Sequence, residues 1–149
     1  MSAQVVSFDV TGWPAPQGSK RAFRHAKSDK VIMVEQSKRL APWRHTVATC
    51  AIEAMDGLEM FKDTALHLGV AFRFTRPMGH WGKSGLRPSA RIYPSVMPDL
   101  SKLIRAVEDA LTGVVWDDDA RVVAIRAIKR YALSGEGPGA EIVVMEFKE

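Results

Sequence analysis

The sequence contains a single cysteine, Cys50, so no disulfide can form within one chain. It has no apolar run approaching the length of a membrane span. Its first residues, MSAQVVSFDV, lack the basic start and apolar stretch of a secretory signal. There is no Gly-rich nucleotide loop and no Ser/His/Asp order, and the four histidines show no metal-ligand spacing to one another. No internal repeat or linker divides the chain. These absences argue against a membrane protein, a disulfide-stapled secreted domain and a small-molecule enzyme, and they lead us to expect a cytoplasmic protein. Cys50 falls on the apolar face of an expected helix, which reads as a small buried residue rather than a nucleophile.

What is present fits one globular domain over residues 1–149, with 46% hydrophobic and 26% charged residues. Net charge is +4 and the pI near 9.4. The positive charge is concentrated: Lys20, Arg21, Arg24, His25, Lys27 and Lys30 crowd one segment, and Lys38, Arg39 and Arg44 follow. A basic cluster in a chain that also carries an acidic one suits a phosphate polymer and a metal to cut it.

In chain order, Val5–Thr11 alternates apolar and polar residues and predicts a half-buried strand. The stretch from Gly12 to Gly18, with two prolines and two glycines, ends it. Val31 to Val34 predicts a short strand pairing with the first, which makes the 20s an exposed basic hairpin loop. A helix with Pro42 in its first turn then carries Trp43, Val47, Cys50, Ala51 and Ala54 on one face, until Asp56-Gly57 stops it. A clear strand over 65–74 comes next, with His67 on its more polar face. Residues 75–98 lose all periodicity; Trp81 and Tyr93, set among cations, suit either base stacking or a plain surface loop.

The organising stretch is 97–131. Leu100, Leu103, Ile104, Val107 and Leu111 recur at helical spacing and predict an apolar stripe lying on a sheet. Asp99 stands at the helix start. Asp117, Asp118 and Asp119 precede a strand over 121–131 that reads as buried on both sides. That strand is expected to return beside the helix and carry its acidic turn to Asp99. Carboxylates meeting there repel, and a divalent cation with oxygen ligands relieves the repulsion. A closing strand over 140–147 completes an α+β fold, one mixed β-sheet with two main helices packed on one face.

Two motifs carry a family resemblance: P-D-L-x-K-L-x-R-A-x-x-D-A-L-T-G from Pro98, followed by W-x-D-D-A-x-V-V from Trp116. Together with G-x-P-x-P-x-x-S-K-R over Gly12 to Arg21, they resemble the RusA-type Holliday-junction resolvases, phage-encoded members included. The resemblance implies a homodimeric, Mg²⁺-dependent endonuclease, with Mn²⁺ a possible substitute, that makes paired symmetric nicks in four-way DNA junctions. It implies metal-binding carboxylates at Asp99 and Asp119, with Asp118 also acidic. A further acidic position of the pattern is Ser101 here, a ligand through water or a helix cap, and a lysine position is Arg105. A dimer could form through Trp43 or through the strands.

The expected chemistry is phosphodiester hydrolysis at Asp99, Asp118 and Asp119. Arg105 and Lys102 neutralise developing charge, and Lys20 and Arg21 contact the DNA backbone. Asp117 reads as a solvated turn residue, Glu108 as solvent-facing, Asp109 as a salt-bridge partner or an outer-shell residue rather than a ligand, and Trp116 as core. Two rival functions stay open: a branched-DNA-binding protein with weak or lost cleavage, and a nuclease for flaps or forks. Repair, recombination and phage DNA processing are equally open as biological settings.

Overall fold

The computed structural model describes residues 4–18, 20–24, 31–35 and 38–149, the side chains of 20–24 and 31–35 excepted. Strands β1 (Val5–Thr11), β2 (Lys20–Arg24) and β3 (Val31–Glu35) precede helix α1 (Leu40–Met55) and strand β4 (Leu66–Phe74). The short strands β5 (Trp81–Gly82) and β6 (Gly85–Leu86), helix α2 (Leu100–Leu111), and strands β7 (Val122–Tyr131) and β8 (Gly139–Glu146) complete the order.

A four-stranded sheet in the order β1-β8-β4-β7 forms the frame. β8 pairs antiparallel with both β1 and β4, and β7 runs parallel to β4. Alternation fixes the two faces. Val6, Val10, Leu66, Leu68, Val70, Phe72, Ala140, Ile142 and Val144 are all buried on one of them. α1 and α2 cover that face, α1 against β1 and α2 on the β7 side, and each packs on the other. The expectation of a mixed sheet with both helices on one face therefore holds. The turn at Asp56 and Gly57, both with positive φ, ends α1 where the Asp-Gly pair predicts it.

Several local expectations change. β3 pairs with β2 in a separate two-stranded ribbon, and the partner of β1 is β8. A short strand finds its ladder in its hairpin neighbour, whereas β1 needs a partner of its own length. The basic positions His25, Lys27 and Lys30 lie outside the described residues. β7 is an outer strand, and Val123, Ile125 and Ile128 stay exposed, so it is not buried on both sides. Trp43 is in the core and offers nothing to a partner chain. Residues 75–98 contain a 3₁₀ turn and the β5–β6 hairpin, with Trp81 and Tyr93 exposed. Among the described residues no helix is long and apolar enough to cross a membrane.

The face of the sheet away from the helices holds a charged network. Arg73 is buried and pairs with Asp9, with Glu136 and Glu141 nearby. Gly139 makes this possible: a Cβ there would collide with the Val10 carbonyl and crowd the Arg73 guanidinium. Arg130 donates to both carboxylate oxygens of Glu136, at 2.8 and 3.0 Å. Those bonds, with the Leu133 N–H, hold the Glu136 carboxyl down at about 2. A depressed carboxylate pKa stabilises the fold above its unfolded value near 4.5, and that contribution disappears as pH falls through the folded value. Arg130→Met is therefore expected to move the acid-unfolding midpoint, followed by far-UV circular dichroism, to higher pH than wild type, with little change near neutrality beyond the loss of the pair itself.

Candidate active site

The first half of the site is the N-terminal end of α2. Asp99 is its N-cap in extended conformation, yet its carboxylate makes no capping bond. Lys102 Nζ lies 3.5 Å from Asp99 Oδ2, an exposed pair that contributes little to stability. Ser101 is exposed in the first turn and is not the cap. Lys129, from β7, donates to the carbonyls of Val96 and Pro98 at 2.7 and 2.9 Å, which ties this end of α2 to the far end of the strand.

The Gly/Pro-rich loop after β1 docks here. Pro14 and Ala15 are buried, and the Gln17 N–H donates to the Lys102 carbonyl at 3.0 Å. Gly18 has φ +84°, and its missing Cβ would sit 3.0 Å from Arg105 Nη1. The positive φ favours glycine there, and the missing Cβ leaves room for the guanidinium against the loop. The same loop leads into β2, whose first residues are Lys20 and Arg21. Lys102, Arg105 and the start of β2 are thus neighbours through the loop, as a phosphate-binding surface requires; the side chains of Lys20 and Arg21 lie outside the described residues.

The second half is at the other end of the helix. Leu103, Ala106, Val107, Ala110 and Leu111 are buried along α2. Gly113, with φ +85°, turns the chain. Trp116 then anchors the turn: it is fully buried and donates Nε1–H to Thr112 Oγ1 at 3.0 Å. The three aspartates after it have different surroundings. Asp117 forms a bidentate pair with Arg121, at 2.9 and 3.1 Å, which lowers its pKa and makes it structural. Asp118 Oδ1 accepts from the Ala120 N–H at 2.8 Å, so one oxygen stays free. Asp119 is exposed, and among the described residues its carboxylate has no hydrogen bond or ion pair.

Glu108 belongs to this second half. It is half-buried, not solvent-facing, and its pKa is raised first by burial, then by the charges of Asp119 and Asp109. The sequence signal is partial: Glu108 and Asp109 both fall in the last turn of α2 ahead of Gly113 and the acidic run, and position alone does not say which of them faces that run. Asp109 lines a groove between the helices with Arg44 and His45. Cys50 is half-buried with its thiol pKa raised by burial, which disfavours a nucleophile.

Within one protomer the two halves do not meet. Glu108, the neighbour of Asp119, is nine positions beyond Asp99, about 13 Å along a helix axis. β7 starts just after Asp119 and reaches the Asp99 end only at Lys129, seven residues on from Val122, or about 23 Å of strand. The expected convergence of Asp99 and Asp119 in one chain is therefore corrected. The strand does return to the helix start, but its acidic turn stays where the helix ends. Among the described residues no three His, Cys, Asp or Glu side chains are grouped to hold a metal. Each half offers exposed carboxylate oxygens, the donors a hard divalent cation prefers, and neither half encloses an ion alone.

The family model described as Endodeoxyribonuclease RusA matches residues 12–145. No curated protein matches the chain. The match includes the docking loop, both halves of the site and all of β7. The proximity of Glu108 to Asp119 is testable directly: Asp119→Asn should lower the Glu108 pKa, read from the pH titration of its side-chain carboxyl carbon by NMR. It should remain above the ordinary value of 4.5, because burial persists. An unchanged titration would place the two residues apart.

Proposed function

The chain belongs to the RusA endodeoxyribonuclease family, and on that premise we propose that it is a homodimeric, Mg²⁺-dependent endonuclease that resolves four-way DNA junctions by paired symmetric nicks. Its place of work is the cytoplasm. The observation that carries the reading is the separation of Asp99 from Asp118 and Asp119 along α2. Carboxylates that must share an ion, and that one chain holds apart, find each other across a two-fold axis. Such an axis gives two identical sites, as two symmetric nicks require.

In this dimer each site takes Asp99 from one protomer and Asp119 from its partner. Asp118 adds its free oxygen, and Ser101 contributes through water. A divalent cation held there supplies Lewis acidity to the scissile phosphate and the attacking water. The remaining work falls to the chain's own cations. Lys102 neutralises Asp99 and is free to turn to phosphate. Arg105, seated against Gly18, presents a guanidinium fork to the non-bridging oxygens. Lys20 and Arg21, at the start of β2, hold the backbone of the DNA arms. A Ser101→Asp variant adds an oxygen donor and should bind Mg²⁺ more tightly.

Wild-type protein should cut a synthetic four-way junction in Mg²⁺ or Mn²⁺, and Asp119→Asn should slow it by about 100-fold or more, the scale of losing one group that stabilises transition-state charge. A gel shift without any cut in either metal would leave a junction-binding protein instead, and faster, asymmetric cutting of flaps or forks would reassign the substrate. The sharing of sites has its own test. Asp99→Asn and Asp119→Asn proteins, each inactive, should regain cleavage when mixed and allowed to exchange subunits. The mixed dimer has one intact and one doubly disabled site, so the product should be single nicks. If verified mixed dimers stay inactive, the sites are not shared.

A further inference from the structure

Trp13 and Arg39 form a pair that the site described above does not use. The Arg39 guanidinium carbon lies 4.4 Å from the centroid of the Trp13 ring, within the range of a cation–π contact. Arg39 covers one face of the indole, yet Trp13 remains 47% exposed. Its neighbours Pro14 and Ala15 are buried, so the indole stands on a docked loop rather than on a free end.

The pair stands at the foot of the β2–β3 ribbon. Trp13 precedes β2 and Arg39 follows β3, and the register sets Lys20 opposite Glu35, the residues where the ribbon begins and ends. Arg39 stacked on Trp13 therefore joins the chain entering the ribbon to the chain leaving it. On the entering side the loop continues to Gln17 and Gly18, which lie against Lys102 and Arg105. Gln17 is four positions on from Trp13, so their Cα atoms are no more than about 14 Å apart. On the leaving side Lys38, Arg39 and Arg44 bring positive charge, and no acidic residue occurs from 36 to 52.

We propose that Trp13, backed by Arg39, is a stacking platform for the base pair laid open at a DNA branch point, and that it makes the protein prefer branched DNA to continuous duplex. The inference rests on the preceding reading for its ligand class, DNA. A base stacks on an indole only through a free π-face. Within a continuous duplex both faces of each base pair are taken by its neighbours. Where strands exchange, the end pairs of the arms part and each presents a face. Phosphate contacts from Lys102, Arg105 and the start of β2 suit any duplex, whereas the indole gains contact only where the stack is broken. The planar guanidinium behind the ring holds it in place and carries charge towards the adjoining phosphates. At about 3.4 Å per base step along a strand, the platform lies within about four steps of the phosphate surface at Lys102 and Arg105, so one arm reaches both.

The test measures binding by the full chain in chelator, where no strand is cut, to a labelled four-way junction and to a linear duplex of equal length. Trp13→Ala should bind the junction about tenfold more weakly, the scale of one lost base–aromatic stack, and the duplex within about twofold of wild type. Trp13→Phe restores a ring and should recover most of the junction affinity. Arg39→Lys keeps the charge and loses the planar face, so it should weaken junction binding alone, by about threefold. A second measurement leaves Trp13 in place. In a Trp81→Phe background it is the one exposed tryptophan, since Trp43 and Trp116 are buried, and the junction but not the duplex should quench its emission. Unchanged junction affinity in Trp13→Ala, or an equal loss on both DNAs, overturns the platform and leaves the nuclease reading standing. Emission that the junction fails to quench does the same. A loss confined to the junction, in a protein that never nicks DNA in Mg²⁺ or Mn²⁺, supports the platform and counts against the nuclease reading.

Discussion

The antiparallel arrangement of α2 and β7 sets the terms for the rest of the molecule. Leu103, Val107 and Leu111 seat the helix on the sheet with no exposed area, and Trp116 closes the turn that reverses the chain. At the opposite end Lys129 bonds back to the carbonyls preceding the helix. The helix and the strand are thus tied together at both ends. Whatever sits before the helix and whatever sits before the strand are therefore held at opposite ends of the helix.

That separation has an electrostatic use. Five acidic residues massed at one point of a monomer would repel and raise one another's pKa values. Here the charge is divided. Asp99 has Lys102 beside it, Asp117 is neutralised by Arg121, and Asp118 is oriented by a backbone N–H. Glu108 takes up the cost, half-buried beside Asp119 with a raised pKa. The cations are organised with equal economy. One glycine-bearing loop touches the first turn of α2 through Gln17, makes room for Arg105 at Gly18, and runs directly into the basic strand β2.

Much of this was legible from residue order. The periodicities of β1, β4 and α2, the Asp-Gly stop after α1 and the Gly113 stop after α2 are strong local signals, and the structure obeys them. Local pattern could not say which strands pair: β3 reads as apolar and β-branched whether its neighbour is β1 or β2. Nor could it say that β7 is an outer strand, because its run of Val, Ala and Ile is what a strand covered on both faces also shows. The site was half legible. Asp99, Asp118 and Asp119 stand out by type and context, and the family match spans them. Their separation is not legible there, because a returning strand suggests closeness, whereas the turn that begins it belongs to the helix's other end. The shared-site dimer proposed above would reconcile the two, by placing the missing neighbour in a second chain that one sequence cannot display.

The most direct measurement is the anomalous scattering of Mn²⁺ in crystals of the protein. The account predicts a metal peak bridging Asp99 of one protomer and Asp119 of its partner, repeated by the two-fold axis. A peak ligated by Asp99 and Asp119 of the same chain would contradict it, and so would ions bound at each half-site separately with no partner ligand.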